Sequence, residues 1–128
     1  MASLDGKWSY RSFRDGTKDT PPEIAVIWAP RGEMVAETDA AGNVTGTLTF
    51  ALVMKLTITG SITPAAGHLL WERPEGIVLT AEGPKAIYKV QGYFIDDDHV
   101  VGTVVGVQND LGGQPDGTNG PFALFRTP

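Results

Sequence analysis

The chain of 128 residues contains no cysteine. That excludes disulfide scaffolds, thiolate metal sites and thiol nucleophiles together, and it suits a reducing compartment. Positive charge is also sparse. Ten Lys and Arg stand against fifteen Asp and Glu, a formal net charge of −5, and no basic run exists. A nucleic-acid partner needs a concentrated basic surface and is not expected. No stretch of about 18 apolar residues is present, so no membrane-spanning helix is expected either. The opening residues Met1–Gly6 lack the basic and apolar segments of a signal peptide, which makes the cytoplasm the expected location. Nucleophile-elbow, His-Glu-x-x-His and phosphate-binding glycine motifs are all missing, so neither a cofactor nor a metal is implied. Helical periodicity of useful length is absent as well.

What is present is alternation. Between Val44 and Ile62 the even positions Leu48, Phe50, Leu52, Met54, Leu56, Ile58 and Ile62 are apolar. The odd positions are mostly Thr, Lys and Ser, with Ala51 and Val53 as exceptions. A period of two means extended chain with one dry face and one wet face. The run is too long for one ordinary strand, so a fold-back near Val53-Met54 is expected. Further strands are expected over Gly6–Phe13, Glu23–Trp28, Glu33–Thr38, His68–Glu72, Ile77–Ala81, Ile87–Ile95, Val100–Val107 and Pro121–Arg126. The 16 glycines and nine prolines show no repeat and punctuate turns. Asp39–Asn43 reads as a hairpin loop with glycine at a positive-φ position. Arg73–Gly76 reads as a separator and Asp96–His99 as a hairpin tip. Residues 1–128 thus predict one all-β domain, an antiparallel up-and-down β-barrel of about eight strands. Its inner face would include Leu48, Phe50, Leu52, Ile58, Val90 and Phe94.

The two ends of the chain carry a family pattern. Gly6-Lys7-Trp8 in the first strand and Arg126 in the last resemble the calycins, the lipocalin, fatty-acid-binding and avidin group. The resemblance implies a barrel whose floor is sealed by Trp8, with the Arg126 guanidinium laid over the indole. Arginine suits that place because it can stack on an aromatic face and bond open carbonyls together. Avidin's strand-one Asn and Ser are replaced here by Tyr10 and Phe13, so biotin binding is not implied.

Few residues point to chemistry. Asp96-Asp97-Asp98-His99 is acidic, but consecutive carboxylates project in different directions and lack the glycine of a calcium loop, so it reads as a solvated tip. His68 could act as a base at a pocket mouth, or be an ordinary packed histidine. Glycines within Gly102–Gly106 read as aids to curvature or close packing. Polar groups on the core parity are more informative, because burying them unpaired is costly. Tyr10 and Ser12 share the face of Trp8, Tyr88 shares that of Val90 and Phe94, and Arg11 would face solvent.

These features leave three readings. The first is a small-molecule-binding barrel that holds a hydrophobic or aromatic ligand against Tyr10, Trp28, Trp71 and Tyr88, rimmed by Asp15–Pro22 and Gln108–Gly120. The second is a barrel cyclase or isomerase that acts by templating its substrate. The third is an accessory protein-interaction domain with a filled core. Catalysis is therefore left open. Both faces of Ala25–Trp28 and of Val100–Val105 are apolar, which fits a homodimer or a covering loop.

Overall fold

The computed structural model describes residues 2–12, 31–50, 54–64, 75–109, 117 and 119–128. Eight antiparallel strands close into a single barrel in chain order. They are β1 (Gly6–Ser12), β2 (Gly32–Thr38), β3 (Asn43–Phe50), β4 (Met54–Pro64), β5 (Glu75–Gly83), β6 (Ala86–Asp96), β7 (His99–Asn109) and β8 (Asn119–Arg126). Closure comes from β1 pairing with β8, from Trp8 opposite Arg126 to Ser12 opposite Phe122. A closed sheet leaves no unpaired edge to recruit another chain.

The alternating run folds back as its periodicity predicts. Phe50 of β3 faces Met54 of β4, and the pairing continues to Asn43 opposite Ser61. Its apolar positions Leu48, Phe50, Leu56 and Ile58 are all buried. Val90 and Phe94 of β6 join them, while Leu52 lies outside the described residues. The Asp39 loop turns as expected: Gly42 adopts φ +89°, a conformation open to glycine without strain. Gly102 fits the close-packing reading, since a Cβ there would lie 2.0 Å from the Gln91 carbonyl oxygen on the neighbouring strand.

Several boundaries differ from the sequence reading. Glu75 and Gly76 begin β5 rather than forming a loop, because both pair with β4 and Gly76 also faces Tyr93 of β6. Asp96 and His99 face each other as the last strand pair, so the tip shortens to Asp97-Asp98. Gln108 and Asn109 extend β7, and Asn119 and Gly120 open β8. The strands expected over Glu23–Trp28 and His68–Glu72 lie outside the described residues, as does Phe13.

The barrel ends differ in direction. Ser12, Gly32, Phe50, Met54, Gly83, Ala86, Asn109 and Asn119 lie at one end, here the mouth. Gly6, Thr38, Asn43, Pro64, Glu75, Asp96, His99 and Arg126 lie at the other, the floor. On the outer wall Val101 and Val105 are half-buried, whereas Val35, Val78, Ile95, Val107 and Phe125 are exposed. Arg11 departs from expectation. It is half-buried, and its Nε is enclosed without a hydrogen-bond partner among the described residues. Among the described residues no helix is long and apolar enough to cross a membrane.

Candidate functional site

The floor is solid. Trp8 has no exposed surface, and its indole N–H donates to the Leu4 carbonyl at 2.9 Å. Residues 2–5 run beneath it with Ala2 and Leu4 buried, and the Leu4 N–H donates to Thr38 Oγ1 at 3.0 Å. The Arg126 guanidinium lies 4.2 Å from the centroid of the Trp8 ring, the contact expected from the ends of the sequence. It also donates to the carbonyls of Asp5, Ser3 and Asp97 and to Asp98 Oδ1. The acidic tip is therefore more than a solvated turn, because it supplies acceptors that hold this arginine. Asp96 Oδ1 meets His99 Nδ1 at 2.7 Å, which with the Asp98 N–H holds the Asp96 carboxyl below its ordinary range. Among the described residues no group of His, Cys, Asp and Glu gathers to hold a metal ion.

The mouth half of the lumen is different. It holds a pocket of about 30 Å³, room for roughly two water molecules. Three hydroxyls border it, from Tyr10, Ser12 and Tyr88. Leu48, Phe50, Val90 and Val104 form apolar walls, and the flexible Met54 side chain stands at the rim.

Local structure explains how the hydroxyls converge. Tyr10 and Ser12 are two apart on β1, so both point inward. Tyr10 is only 5% exposed, stacked on Phe122 at 5.9 Å between centroids and edge-on to Phe50 at 5.6 Å. These contacts fix its ring. Its hydroxyl shares a hydrogen bond with Ser12, itself 4% exposed. Burial dominates, and the Tyr10 pKa is pushed up to about 12. Tyr88 projects from β6 between Ala81 of β5 and Gly106 of β7, two small neighbours that leave space beside its ring. The β6–β7 register shifts between Ile87 and Tyr88, which pair with Gln108 and Gly106, so Val107 of β7 is the extra residue facing this point. Bulges re-aim side chains and occur often beside functional sites. Partial burial also raises the Tyr88 pKa.

Of the four aromatics expected to contact a ligand, Tyr10 and Tyr88 border this pocket together. Trp28 and Trp71 lie outside the described residues, as does His68. The strand ends flanking Trp71, Pro64 and Glu75, belong to the floor, opposite the pocket. The strand ends flanking the two expected rim loops, Ser12 with Gly32 and Asn109 with Asn119, belong to the mouth. Ser12 was legible as a polar residue on the core face but not as a pocket wall. Ala81 was not legible, since a small residue in a short strand carries no signal of space.

No family model, curated protein or solved structure matches the chain.

Proposed function

We propose that this barrel binds a small hydrophobic or aromatic molecule in the mouth half of its lumen. The observation that supports the reading is the underfilled pocket itself, apolar on most sides and bordered by hydroxyls on β1 and β6. An apolar cavity with a few convergent polar groups is the usual form of a small-molecule site. Its presence beside a fully packed floor also matters. Empty apolar volume destabilises a fold by about 24 cal/mol per Å³, so a void of about 30 Å³ costs about 0.7 kcal/mol when nothing fills it. The walls are rigid strands, while Met54 and the half-buried Tyr88 at the rim can adjust.

The test is a titration with toluene, phenol and indole, followed through the methyl signals of the isotope-labelled protein. Saturable shifts are expected at Leu48, Met54, Val90 and Val104, with Val44, Val100 and Leu124 of the floor little changed. Absence of saturable shifts up to the solubility of all three probes would favour an interaction domain with a closed core. Turnover of a bound probe would favour the templating enzyme.

A further inference from the structure

We infer that the outer wall of β5 to β8 is a self-association surface, and that its partner is a second copy of this chain docked antiparallel across a two-fold axis. The wall is uneven. On β3 and β4 its outward residues include Thr45, Thr47, Thr57 and Thr59, which pair across the two strands as a polar face. Five large hydrophobics stand exposed among the described residues, and four of them, Val78, Ile95, Val107 and Phe125, lie on β5 to β8. The half-buried Val101 and Val105 of β7 run between them. Register makes this face continuous: Tyr93 of β6 is opposite Val101, Val101 is opposite Ala123 of β8, and His99 is opposite Phe125. A contiguous exposed apolar face marks an interaction surface.

Charge identifies the occupant. The β6–β7 hairpin exposes Lys85 and Lys89 towards the mouth and Asp96, Asp97 and Asp98 at the floor end. Gly92 and Gly102 pair midway along it. Lys89 lies three residues to one side of Gly92 and Asp96 four to the other. A two-fold axis through this level reverses the second copy and lays each acidic tip towards the lysines of the other. One strip thus carries both halves of its own complement, as an isologous interface requires. Docking with the strands in the same direction would set the acidic tips against each other. Phe125 supplies an aromatic anchor, held edge-on by the His99 ring at 5.6 Å, while His99 is held by Asp96 at 2.7 Å. Gln91 and Thr103, exposed and opposite each other near the axis, can bond across it.

Sedimentation equilibrium of the full chain tests this, from about 1 μM to about 1 mM. The mass should pass from the 13.6 kDa monomer to twice that value. Phe125→Gln should weaken the dimer about tenfold or more. Thr57→Gln, on the polar wall, should leave it unchanged, with near-UV circular dichroism reporting that both variants are folded. If Phe125→Gln does not fold, Val107→Gln takes its place. Lys89→Glu and Asp97→Lys should each weaken the dimer roughly two- to fivefold. Asp97 is chosen because Asp96 holds His99. Combined in one chain the two reversals should restore association, because each copy then offers the other the exchanged pair. A monomer at every concentration overturns the inference, as does assembly beyond two copies. So does a dimer indifferent to the anchor substitution, or charge reversals that have no effect or that their combination does not repair. The lumen reading is untouched by any of these outcomes, since all of these side chains face outward.

Discussion

The two ends of this barrel use the same kinds of residue to opposite effect. At the floor, an aromatic ring, an arginine and a tucked terminal segment satisfy one another. Trp8 is sealed by Leu4 and Arg126, and the Asp97 and Asp98 tip accepts from the arginine. Even the exposed Asp39 turn is internally bonded. Its carboxylate accepts from the backbone and side chain of Asn43 and from the Ala41 N–H, which holds its pKa below the ordinary value. At the mouth, an aromatic ring and a serine border space instead. Tyr10 and Tyr88 are inward-facing like Trp8, but no guanidinium or terminal segment covers them among the described residues. The contrast teaches that burial alone does not mark a site. Trp8 is more buried than Tyr10 and is structural, whereas the partly packed end carries the candidate chemistry.

The largest effect that would break this comparison concerns the floor. Trp8→Ala removes a wholly enclosed indole together with its hydrogen bond and should cost about 3–5 kcal/mol, a large share of a domain's total stability. Tyr10→Phe at the mouth deletes only a hydroxyl and should cost about 1 kcal/mol. Denaturant unfolding of both variants gives the ratio. Equal losses would mean that the mouth is packed as tightly as the floor.

The next effect is a pH dependence and belongs to the mouth. Tyr10 titrates near 12 when folded and near 10 when unfolded, so the unfolded chain loses this proton first as pH rises. The stabilisation is complete below pH 10 and disappears as pH climbs through 12. Two pKa units correspond to about 2–3 kcal/mol. Stability measured between pH 9 and 12 should fall steeply in the wild type and more shallowly in Tyr10→Phe. Identical slopes would mean that the Tyr10 hydroxyl is solvated.

Much of this contrast is readable in the sequence, and the unreadable part has a physical cause. The parity of residues 44–62 predicts a hairpin and its buried face, and both are observed. The Gly-x-Trp at one end and the arginine at the other predict the floor contact through their resemblance to the calycin pattern, and the contact is observed with the two residues paired across the closing strands. Tyr10 and Tyr88 follow from parity as well. The pocket does not, since space is a property of what faces a residue across the lumen. Among the described strands β5 alone turns its odd-numbered residues inward, so Ala81 meets Tyr88 only after the parity switches across the Pro84-Lys85 turn. The register shift opposite Tyr88 and the enclosed Arg11 Nε leave no sequence trace either.

Arg126 supplies a smaller test of the floor. Its side chain is 29% exposed, and it stacks on Trp8 while donating to three carbonyls and one carboxylate. Arg126→Ala should lower stability by about 1–2 kcal/mol with the fold intact. Arg126→Lys should recover little of it, because an ammonium cannot stack and fork at once. Thermal melts of the pair check this. A lysine variant as stable as wild type would reduce the clasp to charge alone.

The smallest and most discriminating effect comes from the same substitution made at both ends. Ala81 borders the pocket, so Ala81→Val adds two methyl groups beside empty volume, on a strand where β-branching is favoured. Stability should rise by about 0.5–1 kcal/mol, as cavity filling commonly gives, while binding of toluene weakens. Ala36 is equally buried nearer the floor and does not border this pocket. Ala36→Val should overpack and cost about 1 kcal/mol or more. Opposite signs from one chemical change would locate the void at the mouth without any ligand. If Ala81→Val instead destabilises as much as Ala36→Val, the mouth has no room to fill, and the barrel is closed at both ends.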